Sequence, residues 1–365
     1  MLFIYASIII VIVYSIIYFV FTILFTRKEN QLSQPIDKSV TIIIPFRNEK
    51  KNIEKCINSI INQQYDLTKV ELICVNDHSS DCSELVLIKF KNIKIISLHK
   101  NQKGKKIAIT EGIKNASNEI IIIRDADTIS EKNWLNNLIS KQNKTNADMV
   151  IGQINYKGSF SFLSALQIIE HLAITITGAA TAKLGIPILC NGANLLFKKS
   201  AFIDVNGFAD NERIASGDDI FLMNTFYNNK KKIEYCNSLD ASVICETEKK
   251  WASFFSQRIR WSTKNKYNTN NINVFIMLLI FTTNIVLPTF SIISMFYTNI
   301  FPFAIIFILI KFLTDFFVIY IGSLHFKQLT ILCWFPLVFF VFPLEILIIL
   351  TLGIFYTPYW KERKI

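Results

Sequence analysis

Charged residues are scarce in this chain of 365 residues. They make up 18% of the sequence, whereas an average soluble domain carries roughly 25%. Hydrophobic residues make up 51%, and phenylalanine alone accounts for 31 positions. A composition this apolar excludes a disordered chain, and 11 glycines and 7 cysteines exclude collagen-like repeats and a dense disulfide scaffold. The remaining classes are a membrane protein and a soluble domain that carries membrane segments.

Paired cysteine spacing is also absent. The 7 cysteines form no C-x-x-C motif, and their number is odd. A disulfide framework or a zinc ribbon would require cysteines paired at short spacing. The sequence therefore predicts small buried thiols in a reducing compartment.

Charge is distributed unevenly along the chain. No charged residue occurs in 1–26 or in 267–310, whereas residues 27–271 contain 34 Lys and Arg against 25 Asp and Glu. This middle block is long enough for one large core. We therefore predict a transmembrane anchor over 1–26, a soluble catalytic domain over 27–271 and a membrane domain over 272–365.

The first apolar block is long enough to cross a bilayer. Residues 2–25 would span about 36 Å as a helix, and a hydrocarbon core is about 30 Å thick. A cleaved signal peptide would carry positive charge before a shorter apolar run, whereas Arg27 and Lys28 follow this one. We therefore predict an uncleaved anchor, with the N-terminus outside and the catalytic domain in the cytoplasm.

The C-terminal block suits spanning helices near 272–296 and 301–322, followed by an apolar stretch over 329–356 that contains Pro343. Three complete spans after a cytoplasmic domain would place the short basic tail outside, against the positive-inside tendency. Two courses are therefore compatible with the third stretch. It forms a broken or kinked spanning helix, or a re-entrant hairpin that folds back at Pro343 and returns the tail to the cytoplasm.

Three apolar, β-branched runs predict buried strands in the middle block. They cover 40–44, 70–75 and 119–123, and amphipathic helical patterns alternate with them. This alternation is typical of an α/β fold with a mostly parallel sheet. Ligands of such sheets bind beyond the carboxyl ends of the strands. The polar clusters of this sequence follow those ends, at 45–49, 76–81 and 124–128.

Asp125-x-Asp127 follows the last of these strands. A D-x-D pair alone is a weak signal, because a solvated turn after a strand has the same appearance. At the carboxyl edge of a parallel sheet, however, two carboxylates beside a phosphate ligand require a cation between them. The pair therefore predicts Mg²⁺ or Mn²⁺, bound through oxygen ligands and shared with a diphosphate.

Other charged residues are compatible with two roles each. In the first role, all three of Asp77, Glu49 and Lys105 would line a nucleotide site. In the second, Asp77 would be a turn residue, Glu49 an acid in the first turn of a helix and Lys105 a solvated lysine at a helix start. Asp218 and Asp219 begin a helical stretch, where the helix dipole stabilises acids. One of two adjacent carboxylates can equally be poised as a general base.

The sequence FFSQRIRW places Gln257 and Arg260 on one face of a predicted helix, with Trp261 next to them. An arginine can neutralise a leaving phosphate, and a tryptophan can stack on a sugar ring. A basic amphipathic helix on a membrane surface would show the same pattern, and the two roles do not exclude each other.

Together these motifs resemble the membrane-anchored branch of the family 2 glycosyltransferases, which includes ceramide glucosyltransferase and the chitin, hyaluronan and cellulose synthases. The resemblance extends from Val40 to Trp261, and its motifs occur in the order of the family. They are TIIIPFRNE, VNDHSSD, GKKIAITEG, RDADT, NGANLLFKK, GDD and QRIRW. Each motif alone is weak, but the ordered set is specific. The resemblance implies an A-type glycosyltransferase fold, with a mostly parallel α/β sheet and transmembrane helices at both ends.

The resemblance also implies roles on the donor side. Asp77 would hold the uracil or ribose of a UDP-sugar. Asp125 and Asp127 would bind the ribose and the metal-diphosphate, with Asp127 the better candidate for the metal. The other residues of the donor site would be Pro45, Arg47, Glu49 and Lys105.

Catalysis and acceptor binding are assigned by the same resemblance. Asp219 would be the general base and Asp218 its acidic neighbour. Many relatives carry Glu at the position of Asp218, and this departure leaves open which of the two carboxylates is the base. The residues that contact the leaving group and the acceptor would be Gln257, Arg260, Trp261, Asn191, Gly192 and Asn194.

The implied reaction is a single displacement that inverts the anomeric carbon. Asp219 removes a proton from an acceptor hydroxyl, while the metal and Arg260 stabilise the leaving diphosphate. We therefore expect an inverting, metal-dependent hexosyl- or N-acetylhexosaminyltransferase. Its donor would be a UDP-sugar, and its acceptor a lipid, a lipid-linked sugar or a growing polysaccharide at the cytoplasmic membrane face.

Three other functions remain open. A polyprenyl-phosphate glycosyltransferase is one, although such relatives usually lack Q-x-x-R-W. A non-catalytic membrane assembly subunit is another, although the aspartates at 77, 127 and 219 are all present. A small transporter would move sugar without nucleotide hydrolysis. No nucleic-acid partner is expected, and partners in a biosynthetic complex are not indicated by any motif.

Overall fold

The structure is a computed structural model, and it describes residues 2–27, 37–209, 217–262, 271–355, 359–360 and 363–364. The chain divides into two compact units. The membrane unit comprises Met1–Arg27, Gly158–Ala180 and Thr247–Pro358. The sheet unit comprises Lys28–Lys157, Thr181–Glu246 and Tyr359–Ile365. The predicted continuous domain over 27–271 is therefore divided between the two units.

The helices and strands are as follows. The helices are α1 (Leu2–Thr26), α2 (Ile53–Ile61), α3 (Ser83–Leu87), α4 (Lys105–Lys114), α5 (Trp134–Thr145), α6 (Phe162–Lys183), α7 (Lys199–Asp204), α8 (Asp218–Asn228), α9 (Trp251–Ser262), α10 (Asn271–Phe296), α11 (Phe301–His325) and α12 (Phe335–Phe355). The strands are β1 (Val40–Phe46), β2 (Val70–Asn76), β3 (Ile93–Ser97), β4 (Ile120–Arg124), β5 (Ile129–Ser130), β6 (Met149–Ile151), β7 (Ile154–Lys157), β8 (Asn194–Lys198), β9 (Ile233–Tyr235), β10 (Val243–Glu246), β11 (Tyr359–Trp360) and β12 (Arg363–Lys364).

The sheet unit is built on a seven-stranded sheet with the order β3-β2-β1-β4-β8-β6-β9. The pairs β1–β2, β1–β4 and β2–β3 are parallel, and β8 runs antiparallel to both of its neighbours. Ile43 of β1 lies opposite Ile73 and Ile123 and is fully buried. Continuous apolar strands suit this position because both faces of the sheet are covered. The predicted α/β fold with a mostly parallel sheet is confirmed.

Among the described residues, five helices are long and apolar enough to cross a membrane: Phe3–Thr26, Phe162–Lys183, Asn271–Phe296, Thr298–His325 and Leu329–Gly353. The helix over Phe162–Lys183, α6, was not predicted. In its most apolar stretch 78% of the residues are buried, against 33% or less in the other four. The apolar helices at both ends of the chain are therefore confirmed, and α6 adds an interior helix.

The course of the last apolar stretch is settled in part by α12. This helix continues through Pro343, and a 3₁₀ turn over Leu329–Trp334 precedes it. The predicted re-entrant hairpin at Pro343 is therefore wrong. A proline removes one backbone donor and kinks a helix, whereas a chain reversal in hydrocarbon would leave several backbone groups unpaired. The predicted basic tail after residue 356 lies mostly outside the described residues.

Polar contacts join α1 to α11 inside the membrane unit. Lys311 Nζ lies 2.5 Å from Asp315 Oδ2, and Tyr14 donates a hydrogen bond of 2.7 Å to Asp315 Oδ1. Thr314 donates to Ser15 Oγ at 2.7 Å. Each of these buried polar groups therefore has a partner, as burial in an apolar environment requires.

Candidate active site

Three neighbouring strands end at one edge of the main sheet, because β1 is parallel to both β2 and β4. The residues that follow the three strands are Arg47, Asp77 and Asp125. Pro45, by contrast, is buried within β1, so the predicted nucleotide loop begins at residue 47. The proline is tolerated because β4 pairs with β1 only as far as Ile43. Beyond Ile43, the side of β1 that faces β4 needs no backbone N–H for the sheet, so the missing N–H of proline costs no hydrogen bond there.

Asp77 is held between β2 and the start of α4. It is 3% exposed, and its Oδ2 accepts a hydrogen bond of 3.1 Å from the backbone N–H of Gly104. Gly104 has a φ of +104°, which favours glycine. Arg47 fixes the same loop, since its Nη1 donates to the carbonyls of Asp77 at 2.9 Å and of His78 at 2.6 Å.

Glu49 organises the loop after β1 and the start of α2. It is 7% exposed, and its Oε2 accepts from Asn52 Nδ2 at 2.8 Å. Its backbone N–H donates to Ser83 Oγ at 2.8 Å, and its carbonyl accepts from Ile53 N–H at 2.9 Å. These contacts tie the loop after β1 to the loop after β2.

Lys105, the first residue of α4, bridges two carboxylates. Its Nζ lies 2.7 Å from Asp125 Oδ1 and 3.1 Å from Asp218 Oδ2. Burial alone would lower the pKa of Lys105, but the carboxylates of Asp125 and Asp218 outweigh burial and hold the pKa above its ordinary value. The end of β4 and the start of α8 thus share one fixed positive charge.

Asp219 is oriented by backbone donors. Its Oδ2 accepts from the N–H of Gly192 at 3.1 Å, and its Oδ1 accepts from the N–H of Ile220 at 2.9 Å. A Cβ on Gly192 would lie 2.9 Å from Asp218 Oδ2 and 3.1 Å from Lys105 Nζ. A side chain at position 192 would therefore displace the Lys105–Asp218 ion pair. Sequence analysis predicted these residues, and the structure brings Lys105, Asp125, Gly192, Asp218 and Asp219 together.

The two asparagines of the NGAN motif differ. Asn191 is half-buried, and its side chain accepts from Ala193 N–H at 3.2 Å. Asn194 is fully buried. Its amide donates to the carbonyls of Gln153 and Ala241 at 2.8 and 2.9 Å, and its Oδ1 accepts from Trp134 Nε1 at 2.9 Å. The predicted ligand contact of Asn194 is therefore corrected: this side chain joins β8 to its neighbours inside the core.

The D-x-D turn rests on Arg124, which sequence analysis did not place in the site. Arg124 is fully buried and donates to the hydroxyl and the carbonyl of Thr128, each at 3.0 Å. Its guanidinium lies 4.8 Å from the ring centroid of Trp134. Asp127 is exposed on this turn. The basic residue directly before D-x-D was the feature of the sequence from which this supporting role could have been predicted.

A complete metal site made by protein alone is not found in the described part of the chain. No group of three or more His, Cys, Asp or Glu side chains there could hold a metal ion. Asp125 and Asp127 offer carboxylate oxygens, the ligands that Mg²⁺ and Mn²⁺ prefer. Two carboxylates fit a cation whose other ligands come from a diphosphate.

The Q-x-x-R-W residues lie on α9, which belongs to the membrane unit. Gln257 donates to Glu248 Oε1 at 3.4 Å, and Arg260 and Trp261 are half-buried. Sequence analysis missed Arg258 between them. This residue is 4% exposed, and its guanidinium lies 4.4 Å from the ring centroid of Trp261. Its position inside a recognised motif was the only available signal.

Residues 41–204 match the family model Glycosyl transferase family 2. Over these residues, slightly less than half of the chain, the sequence matches a family 2 glycosyltransferase domain. Asp77, Lys105, the D-x-D turn and the NGAN motif lie within the matched residues, whereas Asp218, Asp219 and α9 follow them.

Curated relatives of this chain include a poly-beta-1,6-N-acetyl-D-glucosamine synthase of Staphylococcus aureus. It is 27% identical over 238 residues, which cover 62% of this chain and 54% of the relative. Glycosyltransferase AglE of Haloferax volcanii is 31% identical over 121 residues, covering 32% of this chain and 40% of the relative. The chain therefore spans about half the length of the curated relatives it matches.

A solved structure shares the fold of this chain along most of both chains. The mannosyltransferase PcManGT from Pyrobaculum calidifontis, in complex with GDP-Man and Mn²⁺, aligns with a TM-score of 0.53 and 15% identity. The alignment covers 93% of this chain and 96% of that chain. The A-type glycosyltransferase fold, with apolar helices outside the sheet unit, is therefore confirmed.

Proposed function

We propose that this family 2 glycosyltransferase is an integral membrane enzyme that transfers a hexose or N-acetylhexosamine from a UDP-sugar with inversion. The acceptor would be a lipid, a lipid-linked sugar or a growing polysaccharide at the cytoplasmic membrane face. The observation that carries the proposal is the cluster of Lys105, Asp125, Asp218 and Asp219, in which one ammonium bridges two carboxylates beside an oriented third.

Asp219 is the better candidate for the general base. The charge of Asp218 is balanced by Lys105 at 3.1 Å, whereas each oxygen of Asp219 accepts a hydrogen bond from a backbone N–H group. A carboxylate held in this way keeps lone pairs for an acceptor proton and changes position little during transfer. The proton of the acceptor hydroxyl would pass to Asp219 as that hydroxyl oxygen attacks the anomeric carbon.

The donor would be held by residues at the carboxyl edge of the sheet. Asp77, with Arg47 and Glu49 supporting its loop, would meet the uridine, and Lys105 would provide positive charge near the diphosphate. Asp125 and Asp127 would hold Mg²⁺ or Mn²⁺, which when bound neutralises charge on the leaving diphosphate. Each of these roles is supported by the placement of polar groups beyond parallel strands.

The acceptor side is supported by α9. Gln257, Arg260 and Trp261 lie on a helix of the membrane unit, a location that favours a lipid or membrane-held saccharide. A tryptophan ring beside a sugar provides apolar contact with its C–H face. The cytoplasmic face is favoured by Arg27 after the first apolar helix.

A donor screen tests the proposal. The chain would be purified in detergent and incubated with Mn²⁺, a membrane lipid extract and one of UDP-glucose, UDP-galactose or UDP-N-acetylglucosamine. We expect UDP release with one donor, and a product whose mass increases by one or more sugar residues. UDP-N-acetylglucosamine is tested first because the staphylococcal relative is named a poly-N-acetylglucosamine synthase. A preparation that binds UDP yet forms no product with any of these donors would contradict the proposal.

A further inference from the structure

Glu345 is a buried acid in the middle of the last apolar helix. It lies on α12 and is 2% exposed. Neither of its carboxylate oxygens has a hydrogen-bond partner within the described residues. A buried carboxyl group without a hydrogen-bond partner destabilises the fold in either protonation state, because its polar atoms have lost their hydrogen bonds to water and have formed none within the protein. Packing alone therefore does not explain an acid at position 345.

Helix α9 packs along α12, where Ser262 Oγ would lie 3.6 Å from a Cβ on Gly353. The charged groups whose fields reach Glu345 are Glu170 on α6 and Arg258 on α9. Helices α9, α10 and α11 and the 3₁₀ turn before α12 pack against it, and α10 and that turn contain no charged residue. Lys311 of α11 lies over the Phe339 ring, but it is paired with Asp315. Arg258 is therefore the basic group that Glu345 can engage.

Arg258 connects this acid to the Q-x-x-R-W motif. Its Nε donates to Glu170 Oε2 at 2.7 Å, and its Nη1 donates to Gln257 Oε1 at 2.5 Å. The same guanidinium stacks over the Trp261 ring at 4.4 Å. A guanidinium has five donors in a rigid fork, so any change in its carboxylate partners alters the support of Gln257 and Trp261.

We propose that Glu345 is a positioning residue for glycosyl transfer: as a buried carboxyl group beside the Glu170–Arg258 pair, it sets the placement of Arg258 and thereby of the Trp261 ring. The inference rests on the proposed function, in which Trp261 contacts the acceptor. It makes the last membrane helix part of the acceptor machinery. Ionisable groups inside membrane segments are rarely retained without such a role.

The variant Glu345→Gln tests this role, because it keeps the shape of the side chain and removes its acidity. With UDP-N-acetylglucosamine as donor and a β-1,6-linked N-acetylglucosamine oligosaccharide as acceptor, we expect the acceptor KM to rise roughly 3- to 30-fold. The donor KM should be unchanged. Asn284→Leu is the matched control, because Asn284 also carries a buried unpartnered oxygen on a neighbouring membrane helix and should leave both KM values unchanged.

A double-mutant cycle tests the route of the coupling. If Glu345 acts through Arg258, Glu345→Gln should have little further effect in the Arg258→Lys background. Equal effects in both backgrounds would overturn the inference, as would an unchanged acceptor KM or parallel losses for donor and acceptor.

Tryptophan emission provides a readout that needs no turnover. The contribution of Trp261, obtained by subtracting the spectrum of Trp261→Phe, should shift in Glu345→Gln and not in Asn284→Leu. Glu345→Asp, which keeps the acid, should shift it less. Glu345→Met, which also removes the acid, replaces the glutamine variant if that variant does not fold. An unshifted Trp261 contribution overturns the inference even when no acceptor is used. Absence of transfer by the unaltered enzyme with every donor of the screen, and with both the oligosaccharide and the lipid extract, would instead contradict the proposed function.

Discussion

The sheet unit and the membrane unit bury charge in different ways. In the sheet unit Arg124 is fully buried with hydroxyl and carbonyl partners, and Lys105 is shared by two carboxylates. In the membrane unit Arg258 has a carboxylate partner, but Glu345 has no hydrogen-bond partner within the described residues. In the sheet unit, backbone groups help to hold the charged site in place. On α9, by contrast, the residues of the motif are aligned by side-chain contacts alone.

The largest effect should come from breaking the sheet-unit site at Asp219. Asp219→Asn removes the proposed base and keeps an oxygen for one of its two backbone donors, Gly192 or Ile220, so transfer should fall about 10²- to 10⁴-fold. UDP binding should remain nearly intact. Asp240→Asn, at an exposed position outside the cluster, is the control. Wild-type turnover in Asp219→Asn would contradict its role, and an equal loss in Asp218→Asn alone would move the base to Asp218.

Asp127 tests whether the sheet unit uses its exposed carboxylate for a metal. Asp127→Ala should weaken UDP binding in Mn²⁺ by at least about tenfold, because metal affinity depends strongly on each supporting group. Calorimetry with and without EDTA measures the effect, which should vanish in EDTA. Unchanged affinity in Mn²⁺ would refute the metal role.

Lys105→Met would leave two carboxylates without their shared cation. We expect a loss of unfolding free energy of about 1–3 kcal/mol, reduced from the cost for a fully buried pair because Asp125 is partly exposed. Because the pKa of Lys105 is raised on folding, its contribution is complete below about pH 10 and is lost only as pH rises further.

Thermal unfolding at pH 6 to 9 measures this loss, which should be constant over that range. The control is Lys231→Met, which removes an exposed pair with Asp204 and should leave the unfolding midpoint nearly unchanged, because solvent screens such pairs. A difference between Lys105→Met and the unaltered protein that disappears by pH 9 would contradict the ion-pair account.

The smallest effect is expected in the membrane unit. Trp261→Phe keeps an aromatic ring but loses area against a sugar, so acceptor KM should rise about 2- to 10-fold. Trp251→Phe, on the same helix and 45% exposed, should have no such effect. Equal changes in the two variants would mean that α9 contributes aromatic area to the membrane and not to the acceptor.

The sheet unit was the more predictable of the two. Strands β1, β2 and β4 followed from continuous β-branched runs, because strands buried on both faces need apolar residues at every position. The antiparallel β8 and the three-stranded sheet β5-β10-β7 were not predicted, since strand order depends on distant contacts. Asn194 was misassigned for the same reason: its partners Gln153, Ala241 and Trp134 are distant in sequence.

The membrane unit could be predicted only in outline. Long apolar runs gave its terminal helices, but α6 mixes apolar and polar residues, and its burial depends on partners elsewhere in the chain. Pro343 suggested a chain reversal that the helix does not make. The contact of Glu170 with Arg258 joins residues 88 positions apart, and no local pattern announces it.

The central claim is that the sheet unit carries out one in-line displacement, with Asp219 as base. The most direct test is the anomeric configuration of the product, measured by proton NMR from a UDP-α-sugar donor. The account predicts a β-linked product from the unaltered enzyme and none from Asp219→Asn. An α-linked product would contradict the single displacement.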